Sequence, residues 1–364
     1  MQFILLKIRN ISLTQFKNYH SRSIGFEKRI IGICGNNGVG KTNLLDAIHY
    51  LCFTKSHFSR FDQGNSLIGF NGFRIEAEID LENKNENAVC ILRETGKKEF
   101  HLDAIPYEKF SHHIGRYPCV MIAPDDVQII TGESEDRRKW LDTLLSQLDK
   151  TYLTHLLQYN RLLQQRNSLL KNFAESATTD FTLLDVLDEQ LVTQANFIFE
   201  KRKLFFNEFI PLLKNNYYRI TSVNEAIELK YESELLSSSF IDLVKWNRLN
   251  DLSAQRTTVG IHRDELIFKL QNQPFKKFAS QGQRKSLLFA IKLTELDLLK
   301  EKNDFSPLLL LDDVFEKLDE NRIMSLLKTV CIENQGQVFI TDTNNDRLST
   351  HLNYLQLDFE IINL

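Results

Sequence analysis

The stretch Arg29-Ile30-Ile31-Gly32-Ile33-Cys34-Gly35-Asn36-Asn37-Gly38-Val39-Gly40-Lys41-Thr42 decides the fold class. Ile30 to Cys34 reads as a buried strand. Residues 35–42 fit G-x-x-x-x-G-K-[ST] at every position, and Asn43-Leu44-Leu45-Asp46-Ala47-Ile48 continues as a helical pattern. Glycines permit backbone conformations and close approaches that a Cβ blocks. The loop N–H groups and the helix N-terminus then face phosphate oxygens. Gly35, Asn36, Asn37, Gly38, Val39, Gly40, Lys41 and Thr42 are therefore the candidate nucleotide-binding residues. In such a loop the lysine reaches the β- and γ-phosphates and the Thr42 hydroxyl binds Mg²⁺. The competing reading is a glycine-rich turn that binds nothing.

A second element lies far downstream. Leu308-Leu309-Leu310-Leu311-Asp312-Asp313 is an apolar run ending in two carboxylates. A strand of four leucines inside a parallel sheet delivers Asp312 to the carboxyl edge, where ligands bind. Asp312 fits the acidic residue that holds Mg²⁺, and Asp313 is placed to orient or deprotonate the attacking water. By itself such a run reads equally well as a strand ending in a solvated turn.

Between the two lies Ala279-Ser280-Gln281-Gly282-Gln283-Arg284-Lys285, followed by a helix with Leu287, Leu288, Ala290, Ile291 and Leu293. It resembles the signature motif of ABC-type ATPases. There a serine and a glycine at a helix N-terminus contact the γ-phosphate bound to the other subunit, so Ser280, Gly282 and Gln283 join the candidate ATP site. The alternative is a plain N-cap, with Ser280 and Gln283 as a capping box. Lys317-Leu318-Asp319 resembles the D-loop of these ATPases. Thr341-Asp342-Thr343 follows the strand Val338-Phe339-Ile340 where many of them carry a switch histidine, so the γ-phosphate sensor differs here.

The chain has 364 residues, with 42% apolar and 26% charged. These values exclude a disordered or collagen-like chain. The formal charge of -3 excludes a protein that is basic overall, but not local binding of a polyanion. Five scattered cysteines with no CxxC pair argue against a disulfide framework or zinc site. The apolar start, Met1 to Lys7, reads as a first strand and not a signal peptide. No run approaches ~18 apolar residues, so no membrane span is expected and a cytoplasmic location follows. Glycine is absent over residues 134–220, and Leu184, Leu191, Ile198, Phe205 and Leu212 recur every seven residues. Polar Gln194, Lys201 and Glu208 spoil the second seam, so this reads as a long helix packed on one face and not a coiled coil. The expected architecture is α/β: a P-loop NTPase of the ABC/SMC head type with an inserted, mostly helical lobe. Residues 1–125 and 255–364 form the head, and residues 126–254 the lobe.

Further motifs narrow the family. Phe16-Lys17-Asn18-Tyr19, Lys41-Thr42-Asn43-Leu44-Leu45-Asp46-Ala47-Ile48, Ala123-Pro124-Asp125-Asp126, Arg137-Arg138-Lys139-Trp140-Leu141-Asp142, Tyr159-Asn160-Arg161, Gln165-Arg166-Asn167 and Gly260-Ile261-His262-Arg263-Asp264-Glu265 run in order along nearly the whole chain. Together with Ser280-Gln281-Gly282-Gln283 they resemble the RecF family of bacterial, SMC-like repair ATPases. Asp125 follows a strand at the place where relatives carry a Q-loop that senses Mg²⁺. The resemblance implies a weak ATPase that dimerises with ATP and binds single-stranded and double-stranded DNA. It also implies RecA loading at gaps with RecO and RecR, in replication and the SOS response, on the nucleoid.

For DNA, residues 137–171 hold seven basic and two acidic residues, a net of +5, leaving -8 for the rest. Arg137, Arg138, Lys139, Arg161 and Arg166 are the candidate phosphate contacts, with Lys201-Arg202-Lys203 as a second cluster. Arg161 or Arg166 pairing with acids inside the lobe is the alternative. A transport ATPase subunit shares the motif order, but 239 positions separate Lys41 from Ser280, and the insert is long and helical. A different SMC-like ATPase would carry a long heptad insertion. A degenerate binding module conflicts with the intact loop and paired carboxylates.

Overall fold

The computed structural model describes residues 6–175, 181–223, 225–315 and 320–364. In chain order the elements are β1 (Lys7–Phe16), β2 (Tyr19–Gly25), β3 (Ile30–Cys34), α1 (Lys41–Phe53), β4 (Phe73–Leu81), β5 (Lys84–Leu92), β6 (Lys98–Leu102), β7 (Ile105–Pro106) and β8 (Cys119–Ile122). Next come α2 (Gln128–Thr131), α3 (Ser134–Leu148), α4 (Lys150–Glu175), α5 (Thr182–Thr221), β9 (Ile227–Glu232), α6 (Phe240–Trp246), α7 (Arg248–Ala254), β10 (Glu265–Leu270), β11 (Gln273–Pro274), α8 (Phe275–Phe278) and α9 (Gln281–Asn303). The chain closes with β12 (Leu308–Leu311), α10 (Glu320–Leu327), β13 (Val338–Asp342), α11 (Asn345–Tyr354) and β14 (Phe359–Asn363). Met1 to Leu5 and the D-loop residues 317–319 lie outside the described residues.

Two compact units result. The first comprises residues 1–126, 219–222 and 289–364; the second comprises residues 127–218 and 223–288. In the first unit, five parallel strands run in the order β14-β3-β13-β12-β8. β3, β12, β13 and β8 are buried at every position, as continuous apolar runs in a covered parallel sheet must be. Gly32 keeps β3 close to its cover, because a Cβ there would sit 2.8 Å from Leu348. An antiparallel sheet, β2-β1-β4-β5-β6-β7, shares this unit, and its alternating pattern buries one face.

The second unit holds α3 to α5 and the small sheet β11-β10-β9. On α5 the seven-residue repeat is buried at Leu184, Leu191, Ile198 and Phe205. Beyond that the buried stripe moves to Phe209, Leu213 and Tyr217, while Leu212 is only half-buried. A 3.6-residue turn drifts off a strict heptad, and the buried stripe follows that drift. The lobe boundary expected at residue 254 does not coincide with the unit, which continues to Leu288. The reason is long-range pairing: β10 zips along β9 from Glu265 opposite Glu232 to Leu270 opposite Ile227.

Two buried arginines tie this unit together. Arg166 bonds Asp188 at 2.5 Å and Asp251 at 2.6 Å, joining α4 to α5 and α7. Arg202 bonds Asp264 at 2.6 Å and Asp142 at 2.8 Å, joining α5 to the 260–265 segment and α3. Nearby, Tyr159 donates to His262 Nδ1 at 2.7 Å, and His262 Nε2 lies 3.1 Å from the Thr257 carbonyl. A carbonyl only accepts, so Nε2 carries a proton; burial keeps the ring neutral, which leaves Nδ1 to accept from Tyr159. Burial pushes the His262 pKa down to about 4.

Candidate nucleotide site

The phosphate loop joins β3 to α1 at the carboxyl edge of the parallel sheet. Gly40, at the α1 N-cap, has φ 114, and a Cβ there would meet Asn18 and Tyr19 within 2.9 Å. Those two side chains hold the loop from outside. Asn18 donates to the Val39 carbonyl and Tyr19 to the Gly40 carbonyl, each at 3.0 Å. The Phe16-Lys17-Asn18-Tyr19 motif is thus a bracket beneath the loop. Lys41, 5% exposed, folds back to donate to the carbonyls of Gly35 (2.8 Å) and Asn36 (3.0 Å).

Strand order brings the distant carboxylates to the loop. β13 lies between β3 and β12, so Asp312 emerges one strand away from Lys41 and Thr42. The Thr42 hydroxyl is 3.0 Å from both carboxylate oxygens of Asp312. Thr341, on β13, donates to Asp312 Oδ1 at 2.9 Å and accepts from the Asp313 N–H at 2.8 Å. Burial raises the Asp312 pKa, against the hydroxyls of Thr341 and Thr42. Asp313 adopts a positive φ of 44, a conformation rare for a residue with a Cβ. Thr341 was not among the candidate residues. Its signal was its position near the end of β13, where a switch histidine is absent. Asp342, next to it, is tied to Arg347 at 2.6 Å.

A second chain of contacts in the first unit joins Lys17, Asp46 and Asp126, residues of three of the quoted motifs to which the sequence assigned no role. Lys17 bonds the buried Asp46 at 2.5 Å, and Asp46 accepts from Ser56 and the His57 N–H, both at 2.7 Å. His57 lies 3.2 Å from Asp126, which also accepts from the Ala123 N–H at 2.9 Å. Burial opposes the charge of Asp126, but Lys292 and His57 hold its pKa down at about 2. Asp125, the residue at the Q-loop position, is exposed, and Asp126 is the one built in.

Ser280, Gly282 and Gln283 belong to the second unit, at the start of α9. The capping box is formed: Gln283 Oε1 accepts from the Ser280 N–H at 2.8 Å, and Ser280 Oγ accepts from the Gln283 N–H at 3.2 Å. Gln283 also donates to Glu225 at 2.9 Å.

The candidate DNA contacts divide. Arg166 is fully buried between Asp188 and Asp251, so its place among the phosphate contacts is corrected: it is an internal counterion. Arg202 of the second basic cluster is likewise internal, at 1% exposed. Arg137 is largely covered and bonds the Gly132 carbonyl and Glu265. Arg138 is half-buried and donates to the Asp264 carbonyl at 2.9 Å. Lys139, paired with Glu135, and Arg161 are exposed.

Among the described residues no helix is long and apolar enough to cross a membrane. Residues 10–259 match the model of an AAA domain family. The DNA replication and repair protein RecF of Flavobacterium johnsoniae is 40% identical, covering 99% of this chain and all of its own length. That of Cytophaga hutchinsonii is 39% identical over 97% of this chain and 94% of its own. A structure of the recombination mediator protein RecF–ATP in the RecFOR pathway aligns with TM-score 0.87 at 27% identity, over 94% of this chain and 93% of that one. The Smc head domain of Pyrococcus furiosus aligns with TM-score 0.55 at 14% identity, over 99% and 93%, a likeness of fold. Identity of this degree over the full length of both chains, on a phosphate loop closed by Asp312, means that the chain belongs to the RecF family of DNA replication and repair proteins.

Proposed function

We propose that this chain is a cytoplasmic, ATP-dependent DNA-binding protein of recombinational repair and replication-fork maintenance, working as an ATP-closed homodimer. The observation that carries the reading is the Thr42–Asp312 pairing, 3.0 Å across strands that the chain separates by 270 residues. In this reading Gly35 to Thr42 wrap the triphosphate. Lys41 leaves the Gly35 and Asn36 carbonyls for the β- and γ-phosphates, an exchange of two neutral acceptors for two anionic ones.

The donor set suits Mg²⁺. It comprises one hydroxyl and one buried carboxylate, all oxygen, and among the described residues no cluster of three His, Cys, Asp or Glu side chains is placed to hold a metal alone. Mg²⁺ takes few protein ligands and completes its shell with phosphate oxygens and water. When bound, it would neutralise charge on the β- and γ-oxygens. Thr42 and Asp312 would hold it, and a cation there favours the ionised Asp312 that burial now disfavours. Asp313 would orient the attacking water and take its proton. Ser280 and Gly282 of a second copy would close over the γ-phosphate, at a helix start already suited to an anion. ATP would thus be part of the dimer interface, and weak hydrolysis would release it. Loading of RecA with RecO and RecR belongs to the same reading and rests on the family alone.

To test it, Lys41→Met is compared with the wild type for dimer mass and DNA affinity, with and without ATP. The wild type should dimerise and bind DNA with ATP, and the variant should do neither. Dimerisation and binding independent of nucleotide in both proteins would overturn the reading.

A further inference from the structure

Residues 55–70 of the first unit, Lys-Ser-His-Phe-Ser-Arg-Phe-Asp-Gln-Gly-Asn-Ser-Leu-Ile-Gly-Phe, form an ordered segment that turns its large side chains outward. Phe61 is 73% exposed and Ile68 97%, and Phe58 and Phe70 are exposed too. The segment is not loose. Its backbone is bonded to the end of β1 and the residue after it: the Lys17 N–H donates to the Asn65 carbonyl at 2.7 Å, and the Leu67 N–H to the Gln15 carbonyl at 2.8 Å. Asn65 is fully buried and donates back to the carbonyls of Phe61 and Asp62. Held apolar side chains facing solvent mark an interaction surface.

Charge and ring geometry select the partner. Arg60 stacks near Phe61, 6.0 Å from ring centre to guanidinium carbon, and among the described residues it has no ion-pair partner. Lys17 lies 5.2 Å from the Phe58 ring, and His20 packs edge-on to Phe70 at 5.8 Å. The one carboxylate in the segment, Asp62, is already held by Tyr50 and by Lys98 at 2.8 Å. Lys17 is held from beneath by the buried Asp46, which leaves Arg60 as the cation beside the exposed rings with no carboxylate bonded to it among the described residues. Phe and Arg are also enriched at protein interfaces, and the dimer-mass readout below separates that occupant. Exposed rings interleaved with cations are the composition that takes single-stranded nucleic acid, with bases on the rings and phosphates on the cations.

We propose that residues 58–70, with His20, are a stacking platform for single-stranded DNA. The proposal rests on the DNA-binding reading above and adds a place on the first unit that the basic residues of the second unit do not supply. Asn18, one residue beyond Lys17, donates to the Val39 carbonyl of the phosphate loop, so platform and loop share the β1–β2 bracket.

The test uses the full-length protein with ATP and a fluorescently labelled 30-mer of thymidylate. Phe61→Leu keeps apolar area but removes the ring, and Phe61→Trp keeps a ring. The proposal expects Phe61→Leu to weaken binding ~5- to 30-fold, by loss of about one stacked base, and Phe61→Trp to bind as the wild type. Arg60→Gln should lower the slope of log affinity against log salt by about one phosphate contact. ATP-dependent dimer mass should stay at the wild-type value in all three. If the wild type binds the oligonucleotide and Phe61→Leu binds equally well, the platform is overturned and the DNA reading stands. If Phe61→Leu loses dimer mass together with binding, the surface is an interface between copies and the platform is again overturned. If the wild type binds neither this oligonucleotide nor duplex DNA, the DNA reading itself fails.

Discussion

Arg166 offers a sharp test of what the basic helices are for. Replacing it with Met removes a guanidinium that is fully buried between Asp188 and Asp251, whose side chains are 3% and 0% exposed. Asp188 keeps Arg248 at 3.2 Å on one oxygen, and Asp251 keeps the Thr258 N–H and hydroxyl on the other. Each still loses its closest cation, and a buried charge left without its partner costs about 3–5 kcal/mol. Both tryptophans, Trp140 and Trp246, lie in the second unit, and Trp140 is buried. Tryptophan fluorescence during urea unfolding therefore follows this unit selectively. We expect Arg166→Met to destabilise its transition by about 3–5 kcal/mol. Adding Asp188→Asn and Asp251→Asn should recover much of the loss, because no bare carboxylate then remains. DNA affinity per folded molecule should not change. A loss under about 1 kcal/mol, the size of a surface pair, together with a drop in DNA affinity, would refute the assignment of Arg166 as an internal counterion.

Three further outcomes follow from the geometry. His262 is held neutral, with its pKa lowered from 6.5 to about 4, so the unfolded chain binds a proton that the folded one refuses. Stability should be full above pH 6.5 and fall by about 3 kcal/mol as pH drops toward 4; His262→Gln should flatten that part of the fluorescence-monitored profile. Gly40→Ala places a Cβ against Asn18 and Tyr19 at a φ of 114, strain of about 1–3 kcal/mol. It should weaken binding of a fluorescent ATP analogue ~10-fold, as titration would read. Asp312→Asn keeps the shape of the pocket but removes the anionic oxygen, so the Mg²⁺ concentration supporting half-maximal ATP turnover should rise by at least ~10-fold; an unchanged Mg²⁺ requirement would remove Asp312 from the metal site.

The parallel sheet was legible because buried strands are written as unbroken apolar runs, such as Leu308–Leu311, with their chemistry at the carboxyl end. The capping box at Ser280 was legible because its two partners are three residues apart. Arg166 was not. Its partners are 22 and 85 residues away, and composition alone places an arginine on the surface. The same holds for the extent of the second unit, set by β9 meeting β10. The motifs most particular to this family, around Asp142, Arg166, His262 and Asp264, turn out to include its internal polar frame. Charge counting along residues 137–171 could not separate that frame from the exposed Lys139 and Arg161.

In the proposed dimer each ATP is enclosed by the phosphate loop of one subunit and Ser280 of another. Mixing Lys41→Met with Ser280→Arg tests it directly through ATP turnover. Each variant alone spoils both sites of its dimer and should be inactive. An equal mixture should recover turnover, up to about half the wild-type rate, since ATP can close only mixed pairs and each of these keeps one intact site. A mixture as inactive as its components, or a Ser280→Arg protein with wild-type turnover, would contradict the shared site.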